Sequence, residues 1–230
     1  MLYRVTVTEV TGPDIIDVDT MKKHLRVTNA QEDDVIQDLI DAGQALMADI
    51  CNRVFIQQAQ TLTLDYVPGG QIGWWDGVQD GAISAFQNGT LPLINPPLIS
   101  VVEVATYGLD NVRSVFDPVN YFVDARDVNQ FARINLNLGC IWPVSLRRYD
   151  AVEVLIIAGY PPKEDDTADY PVQAKIALKN LVAYLYEHRG EETGEDAITK
   201  SSCMGWLRPL IVHSPTIRAP RNQGRIGLSW

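Results

Sequence analysis

The chain has 230 residues, 46% hydrophobic and 21% charged, which supports a buried core and rules out a disordered or collagen-like chain. Its formal net charge is −10, yet the stretch from Ala197 to Trp230 holds no acid and five bases, so residues 1–196 stand at −15. That balance excludes a body that grips nucleic-acid phosphates and marks the basic end as an interaction device.

After a short opening strand, Asp19-Thr20 caps a brief helix with Met21 and Leu25 on one face. A long helix follows, with Asn29 as its expected N-cap and Glu32 three residues on, as in a capping box. Val35, Ile36, Leu39, Ile40, Gly43, Leu46, Met47 and Ile50 recur at three- and four-residue steps, a firm helical period. From Phe55 the period shortens to two, and 58–66 reads as a strand. A Gly-rich extension at 68–90 carries the adjacent Trp74 and Trp75 and runs about twice the length of an ordinary loop. Further strands are expected at 91–94, 98–107, 120–124, 131–136 and 151–158, spaced as in an antiparallel sandwich or small barrel. Pro171 opens a second long amphipathic helix that runs to Arg189.

The resulting fold class is α+β: a small helical bundle with an inserted antiparallel β module and an extended C-terminal tail. Its parts are an N-terminal helical part at 1–58, the β module at 59–160, a helix at 161–190 packing on the N-terminal helices, and a linker and basic interaction tail at 191–230. Without that helix pairing, neither amphipathic stripe has anything to bury against.

Motif chemistry is sparse. Cys51, Cys140 and Cys203 lack metal or disulfide spacing, and His24, His188 and His213 are scattered. Glu32, Asp33, Asp34, Asp38 and Asp41 crowd the first turns of the long helix, where its dipole favours them; no calcium-loop pattern follows. The Gly-rich stretch has neither phosphate-cradle motif. The expectation is a non-enzyme without metal or cofactor. No apolar run reaches membrane-spanning length, and the first residues lack the apolar core of a secretory signal, so a cytoplasmic chain without membrane contact is expected. Trp206, Arg208, Arg218, Arg221, Arg225, Ile226, Leu228 and Trp230 are the candidate interface residues, because a passive tail has no use for aromatic and aliphatic anchors beside arginines. Leu207, Leu210, Ile211 and Val212 read as further anchors, and Trp74 with Trp75 form a second candidate interface. Trp142 reads as a packing residue at the end of the β module.

Several segments, in order, resemble the head–tail connector (adaptor) proteins of long-tailed bacteriophages. They are Met21-Lys22-Lys23-His24-Leu25-Arg26-Val27, Glu32-Asp33-Asp34 with Leu39-Ile40-Asp41-Ala42, and Leu91 through Val101 with its Asn95-Pro96-Pro97. Tyr121-Phe122-Val123-Asp124, Cys140-Ile141-Trp142-Pro143, Ala158-Gly159-Tyr160 and Ala183 through Arg189 complete the set, covering roughly residues 19–190. The Trp74-Trp75 extension and the tail after Gly190 depart from the family pattern. The resemblance implies a structural virion protein, made in the host cytoplasm and placed in the neck. It would form a ring, typically of twelve copies, beneath the portal protein, extend the DNA channel with DNA only as cargo, and dock the next neck or tail protein. Alternatives are another neck or tail-completion protein, a glycan-binding β module using Trp74 and Trp75, and a hydrolase built on the acidic cluster or on a Ser or Cys with His24 or His188.

Overall fold

The structure, a computed structural model, describes residues 3–65, 90–125, 130–143, 145–163, 168–189 and 194–212. It is mixed helix and antiparallel sheet, arranged around two hydrophobic cores.

The first core is helical. Helix α1 (Val18–Leu25) starts where the Asp17 carboxylate accepts the Thr20 N–H at 2.5 Å and its hydroxyl at 2.9 Å. The cap is therefore Asp17, two residues before the expected pair, with Thr20 as its donor. Helix α2 (Asp33–Cys51) begins later than its sequence suggests. Glu32 precedes it without capping it, because the Glu32 carboxylate instead accepts the Tyr186 hydroxyl and Arg189 Nη2, the latter at 3.1 Å. A long-range partner outcompetes the local box. Ile36, Ile40, Met47 and Cys51 of α2 pack against Ala174, Ala177, Leu178 and Leu181 of α3 (Val172–Glu187), for which Pro171 is the residue just before the first turn. Gly43 lets the two helices close in, since a β-carbon there would lie 2.8 Å from Leu178 Cδ1.

Two short helices, α4 (Gly194–Lys200) and α5 (Cys203–Leu207), and a 3-10 turn at Arg208–Leu210 complete this core. Cys203, Leu207 and Leu210 are buried in it and Ile211 packs against it. Val212 is buried as well; its N–H donates to the Cys51 carbonyl at 2.9 Å, and its own carbonyl accepts Asn52 Nδ2 at 3.2 Å. The aliphatic residues among 207–212, read from sequence as anchors for a partner, thus cover the chain's own helices, and Val212 satisfies the Cys51 carbonyl at the end of α2.

The second core lies between two sheets. The larger has the order β1 (Tyr3–Val10), β2 (Gln58–Leu64), β8 (Val152–Ala158), β4 (Leu98–Tyr107), β5 (Arg113–Val115), every pair antiparallel. The smaller is β3 (Thr90–Pro92), β7 (Arg133–Leu136), β6 (Tyr121–Asp124). Leu62, Leu64, Val104, Val152, Val154 and Ile156 from the first face Leu91, Tyr121 and Ile134 from the second. Neither sheet closes into a barrel among the described residues. The opening strand pairs with β2, so it belongs to this sheet and not to the helical part. Strand β5, three residues with every side chain exposed, has no alternation to betray it in the sequence.

A layer of rings lies in the helical core just before β2 and just after β8. Phe55 stacks on Tyr160 at 6.2 Å between centroids, Tyr160 meets Tyr170 edge-on at 5.8 Å, and the buried Arg53 donates from Nη1 to the Tyr160 hydroxyl at 2.5 Å.

Candidate functional site

Among the described residues, the types that could do chemistry are buried, partnered or scattered. Cys51 and Cys203 are buried in the helical core, and burial pushes the Cys51 thiol up to about 11, far from the thiolate a nucleophile needs. His188 Nδ1 lies 3.0 Å from the Tyr184 carbonyl with its ring stacked on Tyr184, and His24 is exposed on α1. Of the acids at the start of α2, Asp33 pairs with Lys22 at 2.6 Å, while Asp34, Asp38 and Asp41 lie along one exposed face. Among the described residues no group of three His, Cys, Asp or Glu is placed to hold a metal, and no helix is long and apolar enough to cross a membrane. What the fold offers is surface.

Three surfaces stand out. The first is the short C-terminal turn, where Trp206 is 43% exposed and Arg208 points to solvent while Leu207 beside them is buried. Five residues of helix suffice to sort Trp206 outward and Leu207 inward. Of the other expected interface residues, Arg218, Arg221, Arg225, Ile226, Leu228 and Trp230 lie outside the described residues, as do Trp74 and Trp75.

The second surface carries no periodic pattern in the sequence. At one end of the smaller sheet, Val119, Leu138 and Ile141 are largely or wholly exposed. Their loops are held firmly: Val119 N donates to Asp117 Oδ1 at 2.9 Å, Asn137 Nδ2 donates to the Val119 carbonyl at 2.7 Å, and Asn137 N donates to the Asn120 carbonyl at 2.9 Å. The pinned loops thus hold three aliphatic tips out in solvent. The signal was there in Pro118-Val119-Asn120 and Asn137-Leu138-Gly139, where turn residues on both sides leave an aliphatic residue no strand face on which to hide.

The third surface is a groove of about 680 Å³ between α2 and the β1–β2 edge, lined by Val5, Val7, Val10, Ala45, Ala48 and Ile56 together with Asp14, Asp41 and Asp49. A bulge between Val7 and Glu9 keeps Val5, Val7 and Val10 on one face of β1. Gln37 bridges two of the acids, donating to Asp14 Oδ2 at 2.9 Å and Asp41 Oδ1 at 2.8 Å, and buried Gln44 donates to Asp14 Oδ1 at 3.0 Å. The charge of these acids is therefore oriented by amides without being neutralised.

Comparison with known proteins places this geometry. Residues 15–71, from just before α1 through β2, match the family model described as phage gp6-like head-tail connector protein. No curated protein matches the chain. Among solved structures, a chain from the neck of an empty gene transfer agent (GTA) particle computed with C6 symmetry shares the fold at TM-score 0.61 and 19% identity, covering 87% of this chain and 95% of that one. A chain from the virion of a native gene transfer agent particle gives 0.60 and 17%, covering 85% and 93%. One from the neck of a native particle computed with C12 symmetry gives 0.59 and 18%, covering 87% and 94%.

Proposed function

We propose that this chain is a head–tail connector, a structural neck protein that assembles into a ring beneath a portal, prolongs the DNA channel and presents a docking face to the next neck component. The match of residues 15–71 to the connector family carries the reading; the shared fold with neck chains over most of both lengths supports it. Its place is the virion neck. It is not an enzyme in this reading, and its work is done by shape and charge. Exposed carboxylates on α2, with the net −10 of the whole chain, repel phosphates, so DNA slides past a channel wall of this kind without being held. The Phe55, Tyr160 and Tyr170 rings pack the helical core where the chain enters β2 and leaves β8. Trp206 and Arg208, followed by Arg218, Arg221, Arg225, Ile226, Leu228 and Trp230, supply contacts to the portal or to a neighbouring copy. Trp74 and Trp75 supply a second contact.

Electron microscopy of the purified protein, alone and mixed with portal, tests this directly. Rings of twelve copies stacked on the portal are expected; a chain that stays monomeric with portal present is not a connector.

A further inference from the structure

We propose that the groove between α2 and β1 is the seat of the chain's own residues 213–230. β1 is an edge strand, and among the described residues nothing covers Val7 (49% exposed) or Val10 (58% exposed), although the same sheet face is core a few residues further along. The groove is thus an apolar floor left open at its solvent side. The last described residue says what closes it. Val212 is hydrogen-bonded to Cys51 and to Asn52, and Asn52 lines the groove, so the chain leaves the helical core at the groove's mouth. From Asp41 to Asn52 the groove wall measures about 16 Å along the helix. Eighteen residues extended reach up to ~60 Å, so the segment covers that wall several times over without leaving its own subunit.

The chemistries match. Residues 213–230 contain Arg218, Arg221 and Arg225, with Ile226, Leu228 and Trp230, and no acid. The groove pairs aliphatic side chains with Asp14, Asp41 and Asp49, none of which makes an ion pair among the described residues. Its one cation, Arg53, is buried and turned to the Tyr160 hydroxyl. A planar guanidinium at the rim meets a carboxylate in two bonds, while an apolar or aromatic side chain fills the floor. Seated this way, the segment blankets an exposed strand edge in the free subunit, and a partner that recruits the segment must draw it out of the groove. The inference does not depend on the connector role, because it concerns the subunit by itself.

Limited trypsin digestion of the full chain tests it by the rate of cleavage after Arg218, Arg221 and Arg225. Cleavage tracks the open population when the segment exchanges quickly. The double variant Asp41→Lys, Asp49→Lys, both exposed and on the groove wall, is expected to be cut about tenfold faster than the parent. The matched variant Asp34→Lys, Asp38→Lys changes the same charge on the same helix away from the groove and should be cut like the parent. Filling the floor with Ala45→Trp should also release the segment. Equal rates for parent and groove variants overturn the proposal, as does equal acceleration by the Asp34/Asp38 pair. Protection that fades on dilution overturns it too, since the segment would then lie in a second copy.

Discussion

Trp142 is 5% exposed and stacks on Phe116 with 4.9 Å between ring centroids, while Phe116 stacks in turn on Tyr121 at 5.9 Å. The three rings tie the β4–β5 side of the larger sheet to the smaller one, so removing the largest leaves a void between two sheets that cannot easily collapse. Trp142→Ala should cost about 3–5 kcal/mol in chemical denaturation; a loss under about 1 kcal/mol would mean the rings are dispensable. Glu32 is the opposite kind of residue, a surface carboxylate with distant partners. The hydrogen bond from Tyr186, then that from Arg189, holds its carboxyl below the usual glutamate value. A depressed folded pKa stabilises above the unfolded value and loses that contribution as pH falls through the folded one. Glu32→Gln should therefore lower the thermal midpoint at pH 7, and the gap to the parent should shrink below about pH 4, near and under the ordinary glutamate pKa. A gap that does not change with pH would show that the charge is irrelevant there.

Among the elements, the exit of β8 is held by a glycine that nothing larger can replace. Gly159 has φ +111, and a β-carbon on it would come within 2.7 Å of Gln57 Cα and of the Ile56 carbonyl oxygen. The following residue, Tyr160, donates its N–H to the Phe55 carbonyl and stacks on the Phe55 ring in the helical core. Both the backbone angle and the space call for glycine, so Gly159→Ala should destabilise by more than about 1 kcal/mol, read from denaturant midpoints at unchanged slope. The loops at the end of the smaller sheet behave differently, because Val119 and Leu138 are exposed although their backbones are pinned. Val119→Asp with Leu138→Asp should leave stability within about 0.5 kcal/mol. In the proposed ring the same pair should lower the yield of assembled particles counted by electron microscopy; full assembly would remove these tips from the interface.

At the scale of the whole molecule, charge decides more than shape. With −15 over residues 1–196 and only five bases after them, the chain meets duplex DNA as a like-charged surface. Binding to random duplex at physiological salt should be weaker than about micromolar, the upper end of ordinary non-specific affinity. Tighter binding that weakens steeply with salt would show a basic patch able to brake DNA in a channel.

Local periodicity made much of this legible in advance. The apolar run of 152–158 and the β-branched run of 98–107 mark β8 and β4 closely, and the three- and four-residue stripe marks α2 and α3. The burial of Trp142 followed from its position between strands, and the connector resemblance rested on segments that the family match at 15–71 shares in part. Such features belong to one stretch of chain, because a face is buried or exposed according to spacing alone. What the sequence left open is partner choice. Glu32 has a good local role as a capping residue and gives it up for Tyr186, 154 residues away. Leu207, Leu210 and Val212 are as apolar as any anchor, but five residues of helix and one turn are too short to show a period, so only the packed structure reveals that α2 and α3 take them. Strand order has the same origin: β1 next to β2, and β8 between β2 and β4, are decided by which apolar faces meet once the chain is compact, a choice no single segment encodes.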